Sequence, residues 1–138
     1  MERLEYDRYG GRELVRLASF SLPGPKANEV VVRVAAASIE SLRWKSRNAD
    51  MKTFTGSMCP RAVATDFVGT VEAVGSKGFD LLPGNAAHGA LSMKCSGAFA
   101  PTLTSTRDLL LKTPDKLSLA DIASLPVAVV TARLVLVK

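Results

Sequence analysis

Asp66-Phe67-Val68-Gly69-Thr70-Val71-Glu72-Ala73-Val74-Gly75 decides the fold. Its period-two alternation, carried by Phe67, Thr70/Val71 and Val74, predicts a strand, and Gly69 leaves room for another backbone to approach. Glu29 to Ala37, Glu-Val-Val-Val-Arg-Val-Ala-Ala-Ala, is β-branched and almost continuously apolar. Such a run suits a strand covered on both faces or closed into a barrel. Arg12 to Leu22 alternates imperfectly and ends at Pro23-Gly24-Pro25, a corner that fixes backbone angles and removes amide donors. Three further candidates, Asn85 to Leu91, Gly97 to Leu103 and Asp108 to Lys112, follow Gly78 and Pro83-Gly84 at short spacings. Seven or so short strands with Gly and Pro corners predict a mainly β barrel, whose closure removes exposed sheet edges.

Between these strands, Ser41 to Asn48 reads as a short helix and Ala49 to Pro60 as a loop. Past Pro114 the period changes. Ser118-Leu119-Ala120-Asp121 fits an N-cap with an acid three positions on, opening a short helix that breaks at Pro126. Val127 to Val137, apolar except for Thr131 and Arg133, follows as a second helix or a strand. It is too short to span a bilayer, which takes about 20 apolar residues. An apolar segment of this kind is expected to dock on something.

The chain has 138 residues, 47% of them hydrophobic and 22% charged, enough for one core without a disulfide scaffold or a metal. Cys59 and Cys95 stand far apart in no metal-binding spacing, which suits a reducing compartment. The N-terminus Met1-Glu2-Arg3-Leu4-Glu5 has no apolar h-region. Both features predict a cytoplasmic protein. The formal charge is +5, and residues 1–61 hold eleven basic and seven acidic side chains. Apart from Arg43, Lys45 and Arg47 the basic residues are dispersed, and few aromatics are present to stack bases. A solvated surface is the better reading, with no nucleic-acid partner expected.

Taken in order, Tyr6-Asp7-Arg8-Tyr9-Gly10-Gly11, Asn28 to Val34, Asp66 to Gly75, Gly78-Phe79 with Pro83-Gly84, Ser96 to Ala100, Lys112-Thr113-Pro114 and Leu119 to Ala132 resemble the zinc-independent branch of the medium-chain dehydrogenase/reductases. Quinone oxidoreductases of the zeta-crystallin type and related enone reductases are the nearest comparison. The resemblance covers essentially the whole chain. It implies a GroES-like barrel with short helices over residues 1–117, the substrate domain, and a helical linker over 118–138 leading toward a Rossmann domain absent from this chain. That second domain holds NADPH in the family, and no glycine-rich dinucleotide turn occurs in these 138 residues. NADPH is therefore implied as the cofactor but not expected to bind this chain alone.

The resemblance also implies the site residues. Glu40-Ser41-Leu42-Arg43 stands where the zinc-independent enzymes show an Asn-Pro-x-Asp-like segment, so Glu40 and Arg43 become catalytic candidates of altered charge. Trp44, Lys45 and Thr65 match positions at the substrate cleft, and Thr131 matches a threonine near the nicotinamide. The implied chemistry is hydride transfer to a quinone or to the β-carbon of an enone, with Lys45 polarising the carbonyl oxygen. A solvated Lys45 and a packed Trp44 are the competing readings. Zinc is not expected, because the branch that binds it needs a Cys at position 40 and Gly-His-Glu at 64–66. His88, the lone histidine, reads as structural or surface. The alternative function is a non-catalytic GroES-like interaction module or oligomerising barrel, using Leu125–Val137 to bind a partner or a second copy.

Overall fold

A computed structural model describes residues 1–39, 45, 47–48, 60–77, 80–92 and 96–137. The described residues form eight strands: β1 (Glu2–Tyr6), β2 (Val15–Ser19), β3 (Glu29–Ala37), β4 (Arg61–Ala62), β5 (Asp66–Val74), β6 (Ala86–Ala90), β7 (Thr102–Thr106) and β8 (Leu110–Lys112). Two helices end the chain, α1 (Leu119–Ser124) and α2 (Pro126–Leu136). A five-stranded sheet runs β7-β3-β5-β6-β8, and a three-stranded sheet runs β2-β1-β4. The sheets are tied where the Leu4 N–H reaches the Phe99 carbonyl at 3.1 Å, on the segment entering β7.

β3 and β5, nine residues each, form the central antiparallel pair. Their register shifts twice, between Val31 and Val32 and between Val34 and Ala36, which bends the sheet around its contents. Phe67 and Val71 of β5 meet Val30 and Val32 of β3, Leu81 and Leu103 in one buried cluster. Full burial of a side chain such as Phe67 contributes about 1.5–3 kcal/mol. Val68 points to the other face, where Ile122 and Ala123 of α1 cover it. β5 is thus buried on both sides. α1 starts as its sequence predicts: Ser118 Oγ accepts the Asp121 N–H at 3.2 Å and donates to Asp121 Oδ2 at 2.6 Å.

Several boundaries differ from the sequence reading. Only Val15–Ser19 of the Arg12 to Leu22 stretch is strand, because Arg12–Leu14 forms a 3-10 turn. The Gly97 to Leu103 candidate lies too early: Gly97 has φ +144°, the Gly97 and Ala98 amides both reach the Ala64 carbonyl, and the strand begins at Thr102. β8 is shortened to Leu110–Lys112 by a second 3-10 turn at Arg107–Leu109. β1 escapes a hydrophobic pattern because its inward residues include Glu5, 5% exposed and held between Arg3 at 3.2 Å and Arg16 at 3.0 Å. The undecided Val127 to Val137 segment is helical, as α2.

A Cβ at Gly69 would fall on the Arg33 carbonyl oxygen and within 2.8 Å of Val32 Cγ1. Gly69→Ala is expected to cost about 1–3 kcal/mol or more by overpacking, read as a lower urea midpoint. Gly24→Ala is the control, since a Cβ there meets nothing within 4 Å, and its midpoint should stay at the wild-type value.

Candidate functional site

Three consecutive residues before and at the start of β5 organise one end of the molecule. Ala64 takes φ +67°, a left-handed conformation that side chains rarely adopt, and its carbonyl accepts the amides of Gly97 at 2.8 Å and Ala98 at 3.1 Å. Thr65 is buried, and its carbonyl accepts the Leu91 N–H at 3.0 Å. Asp66 is 1% exposed; its carbonyl accepts the Ser38 N–H at 3.1 Å, and its carboxylate Oδ2 accepts the Val127 N–H at 2.9 Å.

The last bond explains how α2 begins. Its N-cap is Leu125, whose side chain cannot cap, and Pro126 at the first helical position has no N–H. Val127 brings one of the exposed donors of the first turn. A carboxylate from β5, far away in sequence, caps the helix in place of a local Ser, Thr or Asp. The partial positive charge at the helix start favours an anion there. Thr131 lies one turn further on the same face as Val127 and is exposed.

Of the sequence-derived site residues, Thr65 and Thr131 are brought to this junction, one adjoining Asp66 and the other on the helix that Asp66 caps. Lys45 is helical and exposed, on the segment that leaves β3 past Ser38. Glu40, Arg43 and Trp44 lie outside the described residues. Asp66 itself reads from sequence only as framework. The available signal is chemical: an acid opening an otherwise apolar strand must find a donor when buried.

Beneath α2 lies an apolar cavity of about 400 Å³ walled by Leu109, Leu111, Leu125, Val129 and Val130, with His88 of β6 at its edge. His88 is half-buried, and its Nδ1 sits 3.4 Å from Thr113 Oγ1. Burial pulls the imidazole below its ordinary value of 6.5, so the native state favours the neutral ring. Among the described residues, no group of three or more His, Cys, Asp or Glu is placed to hold a metal ion. For a dinucleotide, the 138 residues offer no glycine-rich cradle for the phosphates. Thr131 presents an exposed hydroxyl, whereas the amino end of α2, a natural phosphate cradle, is already taken by the Asp66 carboxylate.

No family model matches the chain. It is 32% identical over 133 residues, 96% of its length, to a chloroplast envelope quinone oxidoreductase homolog of Arabidopsis thaliana, and spans 40% of that relative. It is 30% identical over 139 aligned positions to an NADPH-dependent alkenal/one oxidoreductase of the same plant, covering 36% of it. The fold matches Escherichia coli quinone oxidoreductase complexed with NADPH at a TM-score of 0.88 and 23% identity, over 100% of this chain and 41% of the enzyme. The chain therefore spans about 40% of the length of such relatives.

The neutral preference of His88 sets the sign of one pH effect. The unfolded chain binds the proton more readily, so stability from this residue is fully present above about pH 6.5 and is lost as pH falls toward the lowered native value. Urea midpoints measured between pH 7.5 and 5 should show this loss, and His88→Gln should remove that part of the pH dependence.

Proposed function

Because the chain is homologous to the GroES-like portion of quinone oxidoreductases of the medium-chain dehydrogenase/reductase superfamily, we propose that it is the substrate domain of an NADPH-dependent, zinc-independent reductase of quinones or α,β-unsaturated carbonyls. The observation that carries this reading is the junction at Asp66, which fixes the start of the Thr131 helix against the strand that adjoins Thr65. NADPH supplies a hydride when it is held by a nucleotide-binding domain. Residues 1–117 are the substrate barrel and 118–138 the linker toward that domain. Thr131 offers its hydroxyl to the nicotinamide end. Lys45 polarises the substrate carbonyl as negative charge builds on its oxygen, with Glu40 and Arg43 as further catalytic candidates and Trp44 and Thr65 as candidates for substrate contact.

By itself the chain is inactive in this reading, for these 138 residues hold no glycine-rich phosphate turn and the start of α2 is capped from within. No helix among the described residues is long and apolar enough to cross a membrane. Both Arabidopsis relatives are named as chloroplast proteins. The test compares the 138-residue chain with a chimera joining it to the remainder of the Escherichia coli enzyme. The chain alone should neither quench NADPH fluorescence nor oxidise NADPH with quinones or enones, and the chimera should do both. Turnover by the chain alone overturns the claim of inactivity. A folded chimera that binds NADPH and reduces no quinone or enone overturns the substrate-domain reading.

A second reading is favoured by α2, which buries none of its residues: Leu134 is 76% exposed and Leu136 80%. Here Leu125–Val137 acts as a docking element for a partner or a second copy. Sedimentation should then show self-association that Leu134→Glu abolishes. A strict monomer at high concentration counts against the self-association form.

A further inference from the structure

Asp66 holds two different segments at once, one through its backbone and one through its side chain. Its carbonyl receives Ser38, where the chain leaves β3 toward Lys45, and its carboxylate receives Val127, where the chain enters the helix that carries Thr131. Both bonds come from one residue at the rigid start of a strand buried on both faces, 1% exposed itself. Local sequence supplies no competing anchor for α2. Leu125 offers no side-chain acceptor, Pro126 offers no donor, and no residue of the helix is buried. An isolated helix of eleven residues is marginal in water, so the way α2 leaves the barrel is set at its first turn.

We propose that Asp66 is a positioning residue for the transfer site, fixing the start of the helix that carries Thr131 relative to Ser38, just past the end of β3. The inference rests on the reductase reading for its functional meaning, while the anchoring itself belongs to this chain alone. Asp66 touches neither substrate nor cofactor; it acts through the first turn of α2. A displacement of about 1 Å at a hydride-transfer site can cost about a hundredfold in rate, so an anchor of this kind shows in turnover before it shows in binding.

Two measurements decide it. In the 138-residue chain, amide exchange followed by NMR should speed up from Val127 through Thr131 by about tenfold or more in Asp66→Ala, the size expected for losing one buried hydrogen bond. The β5–β6 ladder amides should be unchanged. Asp66→Asn, which keeps an acceptor of the same shape, should stay within about threefold of wild type and guards against a variant that fails to fold. In the chimera, Asp66→Ala should lower kcat about tenfold with the quinone KM within about twofold, and Asp66→Asn should recover most of the loss. A folded Asp66→Ala with unaltered α2 exchange overturns the proposal, and so does a loosened α2 with kcat unchanged. A wild-type chimera that reduces nothing refutes the reductase reading instead, and amide exchange then tests the anchor by itself.

Discussion

The close approach of β5 to β3 at Gly69 is the constraint on which the rest of the molecule depends. A side chain there would strike the Arg33 carbonyl, so the two longest strands can pair across their bulges only with glycine at that position. Once paired, β5 places Phe67 and Val71 inside and Val68 outside, and the outside face creates the seat for α1. α1 in turn delivers the chain to Pro126. The position of α2 therefore follows from a strand pairing far upstream, and Asp66, at the near end of the same strand, closes the circuit by capping it.

This arrangement divides the labour between apolar and polar contacts. The apolar core fixes where β5 lies but is indifferent to the direction in which a terminal helix departs, because hydrophobic contact has little angular preference. Direction needs a directional bond. The Asp66 carboxylate provides one in a nearly water-free setting, where an unmet Val127 amide would cost more than at the surface. The exposed ion pairs elsewhere do less: Asp7 with Arg16 and Asp80 with Arg107 hold their carboxyls below the usual range through hydrogen bonds from the guanidinium, yet lie in solvent where such pairs contribute little to stability.

Sequence pattern locates the central strands well because they are buried on both faces and cannot tolerate polar interruption. Glu29–Ala37 is strand throughout, and Asp66 to Gly75 is strand up to Val74. It locates the Ser118 cap because that signal is local, a hydroxyl and an acid three residues apart. It misses β1, whose buried Glu5 is neutralised by an arginine from β2, and it sets β7 early, since the bonds that hold Gly97 and Ala98 off the sheet end on Ala64. The cap of α2 is illegible for the same reason: donor and acceptor are 61 positions apart. For the site, Thr131 and Thr65 are candidates through resemblance alone, and nothing in the local sequence shows that the strand opening at Asp66 caps the helix that carries Thr131.

The uncovered face of α2 bears on both functional readings in one way. A helix anchored by a buried carboxyl oxygen at its first turn, yet presenting Val130, Leu134 and Leu136 to water, has a directional contact without apolar burial. Such a geometry is stable when something else supplies the burial, whether a nucleotide-binding domain or another surface. The two possibilities make different demands on Asp66. A docking element needs only an exposed apolar stripe and tolerates a loose stem, since its partner can reorient it on binding. The proposed hydride-transfer site would not tolerate that looseness, because in that reading Thr131 has to meet a reacting ring at fixed distance. The presence of a rigid, remote cap where a surface-exposed local cap would have served docking equally well is the physical reason for ranking the reductase reading first.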